Sequence, residues 1–297
     1  MGTKDKLQFD NVTTQTIDAS WLKAKNITLD VLRLDKIHPV ISGNKWFKLK
    51  YYLEDFIQTG LNELGTFGGA YSNHIVATAF AALSINKKSI GVIRGEKPLQ
   101  LSHTLLKAQE YGMRLLFVSR QDFNDKESIK KQHPDIYWID EGGYGNLGAK
   151  GAAEILSLAT NFQQYTHIVC ATGTGTMLAG ICKAALPHQK IIGISVLKNN
   201  VSINNEVSKL TSNTFTIMHD FHFGGYAKHP SSLIDFMKEI WQDHHLPTDI
   251  VYTSKTFYAI RQLVLNLFFP EGSKILMIHS GGLQGNLSLP AGVLPFL

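Results

Sequence analysis

Residues 168–180 read IVCATGTGTMLAG, and this stretch decides the fold. The apolar run Ile168–Ala171 predicts a buried strand, the turn Thr172–Thr176 alternates threonine with glycine, and Met177–Ala185 has helical period. Backbone amides of a glycine-rich turn at a helix N-terminus bind anions. The stretch therefore predicts a phosphate site at the end of a strand. It matches neither a Walker loop nor a clean dinucleotide-binding turn, so the turn alone leaves the phosphate compound open.

Strands and helices alternate on both sides of this turn. Strands are predicted at Leu64–Phe67, Ser89–Arg94, Arg114–Val118, Ile136–Ile139, His167–Ala171, Lys190–Val196 and Lys274–His279. Helices are predicted at Asn73–Leu83, Leu101–Tyr111, Gly148–Ala159, Met177–Ala185, Ser231–Gln242 and Thr256–Phe269. This alternation predicts an α/β fold with mostly parallel sheets and helices on both faces. The polar segment Asn199–Ser212 is expected to be a mobile excursion.

Composition and charge exclude several classes of protein. With 297 residues, 44% of them hydrophobic and 18% charged, the chain is neither disordered nor fibrous, and its length favours two domains. The net charge of +5 is too weak to indicate nucleic-acid binding. Two cysteines predict a reduced, cytoplasmic protein. The polar start Met1–Lys6 predicts no secretory signal, and no apolar run is long enough to span a membrane.

Three more loops with reactive or small residues follow predicted strands or open helices. Ser42–Lys50 places Lys45 at the start of a helix, where the dipole and burial lower a lysine pKa, as Schiff-base chemistry requires. An ordinary surface lysine is the alternative. In Gly68–His74, Ser72 and Asn73 either bind a ligand or cap a helix. In Ile278–Leu283, His279 is either a site residue or a core histidine.

Together and in this order, the four loops resemble the pyridoxal-phosphate enzymes of the tryptophan-synthase-β fold type. The closer resemblance is to the family of 1-aminocyclopropane-1-carboxylate deaminase and D-cysteine desulfhydrase, and it runs from about Val31 to Gly282. It implies two open, twisted, mostly parallel sheets with flanking helices. Residues 1–48 and 146–297 would form a large cofactor domain, with 49–145 as a small α/β domain and a seam near Glu141–Gly145. It also implies a homodimer.

The resemblance assigns roles to particular residues. Lys45 matches the family's Schiff-base lysine and would also act as the catalytic base. Ser72, Asn73 and His74 match the substrate-binding loop, with Ser72 also catalytic and Asn73 also on the cofactor. Tyr226 and Tyr252 match a pair of catalytic tyrosines, of which Tyr226 would also bind the substrate. The implied cofactor, pyridoxal 5'-phosphate, would be held by Lys45, Asn73, Thr172, Gly173, Thr174, Gly175, Thr176 and Thr253. No metal is implied. Trp46-Phe47, Tyr71 and Ala227 depart from the family pattern on the substrate side.

Thr253 decides between the two reactions of that family. By the same resemblance, it would be the partner of the cofactor ring nitrogen, at a position where typical deaminases carry glutamate. A hydroxyl only hydrogen-bonds, so the ring stays closer to neutral and becomes a weaker electron sink. We therefore expect β-elimination from a small D-amino acid such as D-cysteine, giving pyruvate, ammonia and sulfide.

Other functions stay open on the sequence alone. The nearest is 1-aminocyclopropane-1-carboxylate deaminase, which opens the ring to 2-oxobutanoate and ammonia. Dehydration of L-serine or L-threonine is another, which the paired tyrosines disfavour. A non-catalytic module that binds a nucleotide phosphate at Gly173–Thr176 belongs to a different class and predicts a colourless protein. The only partner expected of the enzyme, apart from a second copy, is a small amino-acid substrate.

Overall fold

The computed structural model describes residues 7–296, so the predicted absence of a signal at residues 1–6 lies outside the described part. The strands of this part are β1 (Thr14–Ile17), β2 (Thr28–Arg33), β3 (Glu63–Gly68), β4 (Lys88–Arg94), β5 (Met113–Val118), β6 (Ile136–Ile139), β7 (His167–Thr172), β8 (Lys190–Ser195), β9 (Thr216–Met218) and β10 (Lys274–His279). Its helices are α1 (Ser20–Lys23), α2 (Asn44–Thr59), α3 (Asn73–Ser84), α4 (His103–Glu110), α5 (Lys126–Gln132), α6 (Asn146–Ala153), α7 (Thr176–Ala184), α8 (Ile203–Ser208), α9 (Ser231–His244) and α10 (Thr253–Leu265).

The strands form two sheets. The larger has the order β1-β2-β10-β7-β8-β9, and every neighbouring pair is parallel except β1 with β2. The smaller has the order β5-β4-β3-β6 and is parallel throughout. These two mainly parallel sheets with flanking helices confirm the predicted fold class. The predicted domain boundaries stay a prediction, and α2 runs across the first of them.

The larger sheet is covered on both faces, as parallel sheets require. Along β7, Val169 packs into one apolar cluster with residues of α9 and α10. Its neighbours Ile168 and Cys170 pack into another cluster with residues of α6 and α7. This alternation follows from the two-residue period of a strand. The sheet is thereby fixed, and the turns at the carboxyl ends of its strands have a rigid base.

Several elements differ from the sequence prediction. The helix expected over Gly148–Ala159 is α6 to Ala153, followed by a 3-10 helix at Glu154–Leu158. The helix expected at Thr256–Phe269 begins earlier, at Thr253, and ends at Leu265. The expected excursion Asn199–Ser212 contains α8, whose Ile203 and Val207 are buried against the larger core. No helix within residues 7–296 is long and apolar enough to cross a lipid bilayer.

Candidate active site

The turns that follow several strands of both sheets meet at one cavity of about 690 Å³. Carboxyl ends of parallel strands are the usual ligand side of such sheets. The sequence-predicted residues that line the cavity are Lys45, Ser72, Asn73, His74, Thr172, Gly173, Thr174, Gly175, Tyr226 and Tyr252. The structure thus brings most of the predicted site together from distant parts of the chain. Thr176 and Thr253 lie behind its wall, where both are buried.

Lys45 lies inside this cavity on the first turn of α2. Its Nζ donates a hydrogen bond to Asn44 Oδ1 at 2.6 Å and lies 5.9 Å from the centre of the Tyr252 ring. Burial lowers the pKa of Lys45 to about 8, although the Asp249 carboxylate raises it in part. Desolvation, rather than the helix dipole, is therefore the main cause of the predicted shift. A lysine of this kind supplies a neutral amine near physiological pH.

The glycine-threonine turn forms another part of the cavity wall. Gly175 has a left-handed φ of +84°, and α7 begins directly after it at Thr176. A Cβ on Gly175 would lie 2.7 Å from Val207 on α8, so the turn needs glycine there. Thr174 and Thr176 hydroxyls are 3.1 Å apart. The first amides of α7 have no partners within the helix, which suits an anion.

The N-terminus of α3 contributes small polar side chains. Ser72 is the N-cap by position, but its hydroxyl makes no capping hydrogen bond. Asn73 is buried, and within residues 7–296 its Oδ1 has no hydrogen-bond partner. His74 Nε2 is 3.0 Å from Thr66 Oγ1, while burial and the nearby lysines hold the pKa of His74 well below its usual range. Neutral polar atoms are therefore available here for a ligand.

The two predicted tyrosines lie side by side. The ring centres of Tyr226 and Tyr252 are 6.5 Å apart, at an interplanar angle of 73°. Burial raises the pKa of both hydroxyls, which keeps them protonated at neutral pH. Lys255 holds the turn before Tyr226, since its Nζ donates to the carbonyls of His222 and Gly225 at 2.9 and 2.8 Å. Lys255 therefore positions one of the two tyrosines.

Thr253 is part of a buried hydrogen-bonded turn. Its Oγ1 donates to Asp249 Oδ1 at 2.7 Å and accepts the Asp249 N–H at 2.7 Å. The Asp249 carboxylate also accepts the N–H groups of Val251, Tyr252 and Thr253 at 2.8–2.9 Å, and so fixes the turn that leads into α10. With its one proton given to Asp249, the Thr253 hydroxyl can only accept a further hydrogen bond.

Several cavity residues were not predicted as site residues. Lys48 is buried in the wall, where burial, and secondarily Lys45, lowers its pKa to about 7. Its signal was the three-residue spacing from Lys45, which puts both on one helix face. Ser280, Arg94 and Arg120 also line the cavity, and each lies at or just after the end of a strand. No group of metal-binding side chains occurs in the described part of the chain.

Comparison with known proteins agrees with this geometry. The family described as "Pyridoxal-phosphate dependent enzyme" matches residues 12–281. The chain therefore belongs to the pyridoxal-phosphate dependent enzyme family. It is an enzyme, its cofactor is pyridoxal 5'-phosphate, and the alternative of a non-catalytic nucleotide-binding module is wrong.

Two relatives illustrate its place in the pyridoxal-phosphate dependent enzyme family. A Thermotoga maritima protein, provisionally named 1-aminocyclopropane-1-carboxylate deaminase, is 29% identical, and the match covers 86% of this chain and 88% of that protein. An Arabidopsis thaliana enzyme named bifunctional D-cysteine desulfhydrase/1-aminocyclopropane-1-carboxylate deaminase is 28% identical over 82% of this chain and 70% of its own. Among solved structures, an "ACC deaminase homologue" superposes over both full chains with a TM-score of 0.81 at 22% identity, which confirms the fold.

The residues present fit the family's cofactor. Lys45 offers an amine of lowered pKa for its aldehyde, and the turn from Gly173 to Thr176 offers amides and hydroxyls for its phosphate. In residues that line the same cavity, the buried Thr172 Oγ1 and Asn73 Oδ1 lack hydrogen-bond partners within residues 7–296. Buried polar atoms are rarely left unpaired, so these atoms indicate a polar ligand.

Proposed function

We propose that this enzyme deaminates a small amino acid by breaking a bond at its β-carbon, with the opening of 1-aminocyclopropane-1-carboxylate as the first candidate reaction. The observation that carries the proposal is the place of Lys45, an amine of pKa about 8 in one cavity with the glycine-threonine turn and two protonated tyrosines. The names of the Thermotoga and Arabidopsis relatives support the candidate reaction.

Each part of the cavity has a task in this proposal. Bound pyridoxal phosphate supplies the electron sink for carbanion chemistry. Lys45 anchors the cofactor and, once released, takes or returns a proton at the substrate carbon. Ser72 and Asn73, at the start of α3, bind the substrate carboxylate. Tyr226 and Tyr252 orient the reacting group and donate from their hydroxyls. Thr172 and Gly173–Thr176 hold the phosphate, with the Lys48 amine nearby as a hydrogen-bond donor.

The hydrogen bond from Thr253 to Asp249 changes the expected reaction. The sequence favoured desulfhydration because a hydroxyl was expected to leave the cofactor ring nearly neutral. The Thr253 proton, however, is already given to the buried Asp249 carboxylate. A hydroxyl that can only accept favours a protonated ring nitrogen as its partner, which strengthens the sink. The preference for desulfhydration therefore loses its physical reason, and ring opening becomes the first candidate.

D-cysteine desulfhydration remains the second candidate. The bifunctional Arabidopsis relative carries both names, which favours testing both reactions in one enzyme. Thiolate is a good leaving group, so β-elimination needs the same lysine base and a weaker sink. The products differ: sulfide and pyruvate from D-cysteine, 2-oxobutanoate from the cyclopropane substrate, and ammonia from both.

Parallel assays on the purified holoenzyme test the proposal. Ammonia and 2-oxobutanoate should appear from 1-aminocyclopropane-1-carboxylate, and sulfide release should be measured from D-cysteine and L-cysteine. Lys45→Ala should lower turnover by about a thousandfold or more and abolish the visible lysine–cofactor band. Lys50→Ala is the matched control, because Lys50 lies on the same helix but binds Glu154 outside the cavity. The proposal would be contradicted if neither 1-aminocyclopropane-1-carboxylate nor cysteine gave a keto acid, or if Lys45→Ala kept full activity.

The assembly and location of the enzyme are separate proposals. The resemblance implies a homodimer, and the two cysteines, both free and buried, suit a reducing cytoplasm. Light scattering on the holoenzyme measures the first, and fractionation of the source cells measures the second. A monomer at micromolar concentration would contradict the homodimer.

A further inference from the structure

Two arginines stand at the edge of the smaller sheet that borders the cavity. Arg94 is the last residue of β4, and Arg120 lies just after the end of β5. These strands are parallel neighbours, with Arg94 opposite Val118. Because the carboxyl ends of parallel neighbours meet at one edge, both side chains start from the same edge. Both are exposed to solvent and both line the cavity, so they belong to its mouth.

The positive charge of this pair is not neutralised by the protein. Within residues 7–296, neither arginine forms an ion pair or a side-chain hydrogen bond, and the Arg94 guanidinium only stacks over Phe123 at 5.6 Å. Glu141, the acidic residue among the described lining residues, is already bound by Lys126 at 3.1 Å. A guanidinium fork binds carboxylates and phosphates in a bidentate manner. The mouth is therefore suited to an anion.

We propose that Arg94 and Arg120 form a second anion subsite that binds an anionic side chain, and so extends the substrate range beyond the two candidate substrates, whose side chains are uncharged. This inference rests on the proposed function, which gives the α-carboxylate to Ser72 and Asn73 at the start of α3. A second anion at the mouth would then belong to the far end of the same molecule. The substrate class that this subsite adds is an amino acid whose side chain carries a carboxylate, sulfonate or phosphate group.

Ligand titrations of the holoenzyme, followed by its visible absorption, test the subsite. Aspartate and asparagine have the same shape but differ in side-chain charge. O-phosphoserine and serine form a second pair, which differs by a phosphate group. Both enantiomers of each compound are used. In the parent enzyme the charged member should bind at least about tenfold more tightly, as expected for a hydrogen bond to an ion. In the double variant Arg94→Gln, Arg120→Gln this ratio should fall to about one.

Arg114→Gln is the matched control. Arg114 lies on β5 of the same sheet but pairs with Glu63 and does not line the cavity, so its loss should leave the ratio unchanged. If the double variant lost affinity equally for both members of each pair, the arginines would bind the α-carboxylate, and the proposed subsite would be wrong. A parent enzyme without preference for charge would overturn it as well. A protein that takes up no cofactor would instead overturn the proposed function and the subsite with it.

Discussion

Two opposing effects set the pKa of Lys45, and with it the reactivity of its amine. Removal from water lowers its pKa from the usual 10.5 to about 8, and the Asp249 carboxylate works against this shift. The balance leaves an appreciable fraction of neutral amine at physiological pH, which a solvated lysine does not provide. Asp249 thus acts on the lysine through its charge. The sequence shows only that Asp249 lies four positions before Thr253 and does not indicate that it is near Lys45.

The pH dependence of cofactor capture follows from this balance. Because the protonated amine is inert toward an aldehyde, the rate at which apoprotein takes up pyridoxal phosphate should rise with pH through about 8 and then level off. Asp249→Asn removes the charge that raises the pKa, so the midpoint should move below 8. Stopped-flow absorbance measures both curves, with the exposed Asp243→Asn as control. A midpoint near 10, or an upward move in Asp249→Asn, would contradict the assignment.

Among the elements, α10 depends most visibly on one residue. The buried Asp249 carboxylate accepts the N–H of Thr253, the first residue of this helix, and the N–H groups of Val251 and Tyr252 just before it. Asp249→Ala leaves these donors unpaired in the interior and should cost about 3 kcal/mol of unfolding free energy. Asp125 caps α5 through the N–H of Ser128 but is exposed, so Asp125→Ala should cost about 1 kcal/mol. Urea unfolding measures both changes in unfolding free energy. Equal losses in the two variants would show that burial of the Asp249 hydrogen bonds does not add to their effect.

Two loops of the larger sheet approach each other at Gly43, just before α2. A Cβ on Gly43 would lie 1.9 Å from the Ser280 carbonyl oxygen, and its φ is +65°. Gly43→Ala should therefore push Lys45 out of place and lower both stability and cofactor binding. Gly60, at the end of the same helix, has a φ of +74° but open space around it, so Gly60→Ala should cost only about 1 kcal/mol. Normal cofactor absorbance in Gly43→Ala would show that this approach is not required.

The elements differ in how far the sequence specifies them. β6 and β10 have the predicted bounds, because each is a short, mostly apolar run followed by polar and glycine residues, Asp140–Gly142 and Ser280–Gly282. The edge strand β9 was not predicted, since its three residues show no clear alternation. α8 was not predicted either, because its polar sequence becomes a helix only where Ile203 and Val207 meet the core. Long-range packing decides such elements.

At the scale of the whole molecule, the site lies where the turns after the strands of both sheets meet. Loop order and glycine pairs predicted which turns would meet, and Lys45, Ser72 and Gly173 do line one cavity. The bond from Thr253 to Asp249 and the lone arginines at the mouth were not predictable in the same way. They depend on which side chains find partners after folding, and sequence spacing does not report that.

Because the cavity draws its walls from both sheets, ligand binding should stabilise the molecule as a whole. Pyridoxal 5'-phosphate at a hundredfold excess over its Kd should add about 2.7 kcal/mol and raise Tm by about 5 °C. Pyridoxal, which reaches Lys45 but brings no phosphate to the turn Gly173–Thr176, should give less than half of this rise at the same concentration. Differential scanning fluorimetry of the apoprotein measures both shifts. Equal shifts for the two compounds would show that the glycine-threonine turn does not bind the phosphate.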